Sequence, residues 1–98
     1  MKNMTIVVTR FALPADAVAE KIRAAFTEAA THFRNVPGLV RKQFLLSPDC
    51  KTAGGVYLWH DEVAARAFMH ERVAPMIRAR FGVEPTIEFF ESPVTVEN

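Results

Sequence analysis

An α+β fold is predicted for this chain: a four-stranded antiparallel sheet in the order βαββαβ, with two helices on one face. Three observations predict it. Segments rich in β-branched and aromatic residues are separated by two stretches with apolar residues at helical spacing. Turn chemistry at Ser47-Pro48-Asp49-Cys50-Lys51 joins two similar halves through a hairpin. The strands are also apolar on both faces. Gly55-Val56-Tyr57-Leu58-Trp59 carries Val56 and Leu58 on one parity, Tyr57 and Trp59 on the other. Thr86-Ile87-Glu88-Phe89-Phe90 carries Ile87 and Phe89 on one, Phe90 on the other. An antiparallel strand with one wet face alternates apolar and polar. Two helices cover one face of a small sheet, so the second face calls for a second cover, expected to be another copy of the chain.

Met4 to Phe11 is rich in β-branched residues and reads as the first strand. Leu13-Pro14 turns the chain, and Pro14 suits a helix start, where no amide donor is needed. The first helix is expected from about Ala15 to Phe33, with Val18, Ile22, Ala25, Phe26, Ala29 and Phe33 as its apolar stripe. Asp16 and Glu20 near its start, and His32 and Arg34 near its end, suit the helix dipole. Asn35-Val36-Pro37-Gly38 stops it. Leu39 to Leu46 is the second strand and Gly54 to His60 the third. Asp61 is placed to cap the second helix, Glu62 to Phe81, with a break expected near Pro75. Gly82 fits a left-handed stop. Glu84 to Ser92 is the fourth strand, and Val94-Thr95-Val96 reads as a short extra strand or arm. Two βαβ-type halves joined by a hairpin make the ferredoxin-like split βαβ pattern.

The 98 residues fit one domain, 1–98. Twelve basic and 11 acidic side chains leave a formal net charge of +1, which gives no electrostatic footprint for nucleic acid or an anionic membrane. Arg66, Arg72, Arg78 and Arg80 form a basic stretch, but Glu62, Glu71 and Glu84 are interleaved with it, as on a solvated helix face. The single cysteine, Cys50, reads as an incidental exposed thiol in a polar turn. No apolar run approaches a membrane span or a signal-peptide core, and a cytoplasmic protein is the default expectation.

Gly38-Leu39-Val40-Arg41-Lys42 opens the second strand, and Ala53-Gly54-Gly55-Val56-Tyr57-Leu58-Trp59 forms the third. The acidic helix start Asp61-Glu62 follows, then Ala64, Ala67 and Phe68, then Gly82-Val83-Glu84-Pro85. Together these resemble the dimeric α+β barrel superfamily of antibiotic-biosynthesis mono-oxygenases, in particular its YdhR-type branch. The resemblance spans essentially the whole chain. It implies a homodimer with two sheets packed face to face, and a pocket in each subunit. Related branches oxygenate polycyclic phenols without metal or flavin, and others degrade haem or isomerise lactones. Fold by itself does not select among these.

Oxygenation without a cofactor needs a dry pocket for an aromatic ring and a base or cation that favours its phenolate. The candidate residues are Arg10, Lys42, Tyr57, Trp59, His60 and His70, with Phe44 beside Lys42 in parity. Arg10 alternates with Ile6 and Val8. It either reaches water at the strand end or points to the open face, where a buried cation needs Glu88 or a substrate oxyanion. Tyr57 and Trp59 share one parity, so they either orient a flat ligand or pack at an interface. His60 and His70 are candidate proton carriers, with surface exposure as the plainer explanation of each. Lys42 reads either as a solvated strand residue or as one on the pocket side. No triad, phosphate loop or metal-ligand spacing is present, so no metal or cofactor is expected.

The expected function is a cofactor-independent mono-oxygenase acting on a small aromatic or quinol-like substrate. Arg10 or Lys42 would stabilise the phenolate, Tyr57 and Trp59 would orient the ring, and His60 or His70 would move the proton. A non-enzymatic carrier or sensor for a small apolar molecule is the alternative. Haem handling, with His60 or His70 as axial ligand, is a third. The expected partners are a second copy, docked through the sheet face and the C-terminal tail, and a small aromatic or apolar ligand.

Overall fold

Four strands hydrogen-bond into one antiparallel sheet in a computed structural model that describes residues 3–98. They are β1 (Met4–Ala12), β2 (Leu39–Leu46), β3 (Thr52–Trp59) and β4 (Thr86–Ser92), arranged β2-β3-β1-β4. This is the expected ferredoxin-like order, with β1 and β3 central. The β2–β3 hairpin turns where Pro48 and Asp49 set it: the Ser47 and Asp49 side chains accept from the amides of Lys51 and Thr52. Cys50 sits in that turn at φ 61°. It is half-buried rather than an exposed thiol, because its Sγ turns inward to within 3.8 Å of the Ala17 carbonyl.

Helix α1 (Ala19–Ala29) runs into one 3-10 turn, Ala30–Phe33. It starts later than expected. The Ala17 amide bonds to the Pro14 carbonyl in a tight turn, and Val18 is still extended at φ −111°. The second helical stretch is α2 (Glu62–Phe68), a π turn (Met69–Val73) and α3 (Ala74–Phe81). Asp61 caps α2 through a bond from the Val63 amide at 3.0 Å. The break expected near Pro75 is instead a widening. Pro75 brings no amide hydrogen and crowds the carbonyl four residues back. The chain takes up the misfit in the preceding turn, where the Ala74 amide reaches the Met69 carbonyl five residues away. Gly82 closes α3 in the left-handed region at φ 69°.

Both helices cover one face. In β1 and β3 the odd residues are buried there, among them Val7, Thr9, Phe11, Tyr57 and Trp59. In β2 the hairpin register pairs Leu46, Phe44 and Lys42 with Ala53, Gly55 and Tyr57, so these three face the helices, and a register shift between Leu39 and Arg41 changes the parity beyond them. The uncovered face carries cross-strand rows that are largely apolar. One row reads Arg41, Leu58, Ile6, Phe90, and the next Gln43, Val56, Val8, Glu88. Phe90 there is 49% exposed and Leu45 is 38% exposed. The tail beyond β4 forms no strand within the chain, and Val94 and Val96 are exposed. No helix among the described residues is long and apolar enough to cross a membrane.

Candidate functional site

A cavity of about 120 Å³ lies between the sheet, α1 and α3. Its floor comes from the strands. Lys42 and Phe44 of the edge strand β2 pair with Tyr57 and Gly55 of β3, and Gly55 pairs with Thr9 of β1. The floor has room because Gly55 has no side chain. A Cβ there would stand 3.1 Å from both Lys42 Cε and Tyr57 Cε1. Gly54 serves the strand pairing itself, since a Cβ would fall 1.9 Å from the Thr9 carbonyl oxygen.

The wall is α1. Ala25 and Ala29, one helical turn apart, keep it thin, and Phe26 and Phe33 flank them. Val73, Met76, Ile77 and Phe81 form the roof. The lining is overwhelmingly apolar, as in small-molecule sites. Charge is confined to Lys42 inside and to Glu28, His32 and Arg80 at the mouth. Glu28 and Arg80 approach to 3.8 Å across that mouth, both well exposed. A pair so loose and wet contributes little stability.

Lys42 is the unusual group. Its Nζ lies 3.6 Å from the ring centre of Phe33, 3.8 Å from that of Phe44 and 4.7 Å from that of Tyr57. No carboxylate pairs with it among the described residues. Burial pushes its pKa down to about 7. The negative ring faces oppose that by favouring the ammonium. Near neutral pH the group therefore holds or releases a proton with little change in conditions. Tyr57 behaves oppositely: burial lifts its phenol well above the ordinary tyrosine value, slightly countered by a hydrogen bond with Thr9. It stays protonated and acts as a donor.

Of the residues expected from sequence, Lys42, Phe44 and Tyr57 come together here. The other four lie outside the cavity. Arg10 is exposed, on the same face as Ile6 and Val8, in register with Gly54 and Thr86. Trp59 is fully buried, its ring 5.6 Å from that of Phe68, with no acceptor for its indole N–H among the described residues. His60 is exposed at the end of β3, its amide bonded to the Gly38 carbonyl. His70 is exposed on the π turn, its ring 6.1 Å from that of Phe89.

Sequence reading passed over Phe26, Phe33, Glu28, His32 and Arg80 as lining residues. The two phenylalanines belong to the apolar stripe of α1, which has the same spacing whether it packs or lines a cavity. The spacing of Glu28 and His32 was the available signal, since residues four apart share a helix face.

The comparisons agree with this architecture. A solved structure of NE2512 from Nitrosomonas europaea, a protein of unknown function, superposes with a TM-score of 0.78 at 15% identity, covering 98% of this chain and 95% of that one. SnoaB, a cofactor-independent oxygenase from Streptomyces nogalater, superposes with a TM-score of 0.71 at 20% identity, covering 98% and 99%. The mono-oxygenase ActVA-Orf6 of Streptomyces coelicolor, solved with nanaomycin D, gives 0.73 at 18% identity, covering 98% and 93%. At these identities the likeness is one of fold. No curated protein matches the chain significantly by sequence. A family model does match, over residues 6–91. The chain belongs to the mono-oxygenase family described as "Putative mono-oxygenase ydhR".

Proposed function

We propose that the protein oxygenates a small phenol or hydroquinone inside this cavity, using dioxygen and no prosthetic group. The observation that carries the reading is the Lys42 amine set among Phe33, Phe44 and Tyr57 in an otherwise apolar chamber. Its size suits one ring, since an engineered cavity of about 150 Å³ takes up benzene. The Lys42 amine accepts the phenolic proton, and the resulting ammonium stays beside the phenolate in a medium of low dielectric. Tyr57 donates to a substrate oxygen. This reading moves the proton-carrying role from His60 and His70 to Lys42.

The phenolate then gives one electron to dioxygen. The radical pair joins at a ring carbon, and the hydroperoxide loses water. The net change is phenol plus dioxygen to quinone plus water. One oxygen atom enters the ring, the other leaves in water, and the substrate supplies every electron. The fold likeness to a cofactor-independent oxygenase supports this choice. The test is oxygen uptake by metal-free protein with single-ring and polycyclic phenols and hydroquinones. The expected result is turnover of single-ring substrates, reduced about a hundredfold in Lys42→Met, in line with loss of a general acid–base group. Uptake unaffected by that substitution refutes the mechanism. A retained organic ligand in native mass spectrometry, with no turnover, would favour a carrier.

The assembly we propose is a homodimer formed through the uncovered sheet face, with Ile6, Val8, Val56 and Leu58 of the two central strands at its centre and Phe90 of the edge strand β4 beside them. Support comes from the contiguous apolar rows on that face, since monomers rarely expose large apolar patches. The exposed Val94 and Val96 are offered to the partner.

A further inference from the structure

We propose that Lys42 is also a nucleophile, one that captures a small aromatic aldehyde or ketone in the cavity as a reversible Schiff base. The inference goes beyond oxygenation and needs neither dioxygen nor a redox step. Four features of the chamber carry it. The amine stands at the cavity floor, reached from inside. It has no carboxylate partner among the described residues that would hold it as an ammonium. The cavity that Lys42 lines, bounded by Phe26, Phe33, Phe44 and Tyr57, has the volume for one flat aryl group whose substituent meets the amine. The apolar walls disfavour the water that would hydrolyse the product.

The chemistry balances without a co-reactant. The nitrogen lone pair attacks the carbonyl carbon, and a carbon–nitrogen bond forms as the carbonyl electrons move to oxygen. A proton passes from nitrogen to that oxygen. The carbinolamine then expels water, leaving a carbon–nitrogen double bond. Carbonyl and amine are consumed and imine and water appear; added water reverses it. The second proton of the amine leaves with that oxygen as water, and Tyr57, held as a neutral phenol on the same lining, offers the oxygen a hydrogen bond. A desolvated lysine is a recognised way to obtain a free amine near neutral pH. The depressed pKa of about 7 agrees with this. The other charged or titratable groups on the cavity are Glu28 and His32 of α1 and Arg80 of α3, all at the mouth.

The experiment is anaerobic labelling of the intact protein with benzaldehyde and cyanoborohydride near pH 7, read by peptide mapping. Mapping is required because other amines of the protein also react. The exposed Lys21 and Lys51 are internal references. The expected result is reductive benzylation of Lys42 at least about tenfold faster than of either reference, because ordinary lysines keep almost no free amine there. Excess phenol, which competes for the same cavity, is expected to slow Lys42 alone. Equal rates at all three lysines, or no adduct at Lys42, overturns the proposal. The wild-type protein suffices for this reading, so no variant needs to fold. Anaerobic labelling and oxygen uptake also separate the two functions, since either can succeed while the other fails.

Discussion

Replacing Lys42 by Met is expected to stabilise the protein at neutral pH while removing most of its chemistry. The fall of the Lys42 pKa from 10.5 to about 7 measures how strongly the fold disfavours the ammonium. At about 1.4 kcal/mol per pH unit, that is on the order of 5 kcal/mol. Three ring faces offset part of it, about 2 kcal/mol together. A net penalty of about 3 kcal/mol remains. The sign follows from linkage. The unfolded chain binds the proton up to about pH 10.5 and the folded chain releases it at lower pH, so the unfolded state holds more protons in between. Stability of the wild type therefore rises with pH across that window, and the penalty is fully present below it. Met has similar length and flexibility but no charge. Lys42→Met should thus gain about 2–3 kcal/mol at pH 7, a rise in Tm on the order of 10 °C at this chain length. The assay is urea denaturation of both proteins at several pH values and one protein concentration. The difference between them should shrink as pH approaches 10. A variant less stable at pH 7, or a difference that does not vary with pH, would refute the reasoning.

Other substitutions probe the sheet, the helix cap and the outer face. Gly54→Ala drives a methyl into the Thr9 backbone and should cost about 3 kcal/mol or more, whereas Gly55→Ala meets the Lys42 stem and the Tyr57 ring at 3.1 Å and the Gln43 carbonyl at 3.3 Å, a milder crowding that should cost about 1–2 kcal/mol; equal urea midpoints for the two would contradict this. Asp61→Ala removes the cap on the Val63 amide and should lower stability by about 1 kcal/mol in the same assay. Phe90→Lys sets a charge on the uncovered sheet face, and sedimentation should show a monomer, against the dimer proposed for the wild type. Deleting Val94 to Asn98 should weaken the association; an unchanged dissociation constant would remove the tail from the interface.

The element order and the doubly apolar strands were legible in the sequence because β-branched runs, turn residues and helical spacing each act locally. Which parity faced the helices was not. Val56 and Leu58 are as apolar as Tyr57 and Trp59, so nothing within β3 separates the two faces. The position of Lys42 was hidden by a different cause. The β2–β3 hairpin pairs even-numbered residues of β2 with odd-numbered residues of β3, from Leu46 with Ala53 to Lys42 with Tyr57, and the register shift between Leu39 and Arg41 brings Leu39 to the same face. A charged residue that looked like a solvated strand position is thereby turned inward. Helix α1 starts later than Pro14 suggested because that proline serves a turn that precedes the helix. Phe33 was visible as core, but only the three-dimensional arrangement shows that its ring covers an amine.

The π turn uncouples chain length from the shape of the cavity. It holds one residue more than an α turn over the same rise. Losing one residue among His70, Glu71 and Arg72 would therefore restore ordinary pairing and leave α2 and α3 in place, with Ile77 still in the roof and Arg80 still at the mouth. The widened turn is a slot in which the second helix can lose or regain a residue without turning its roof over.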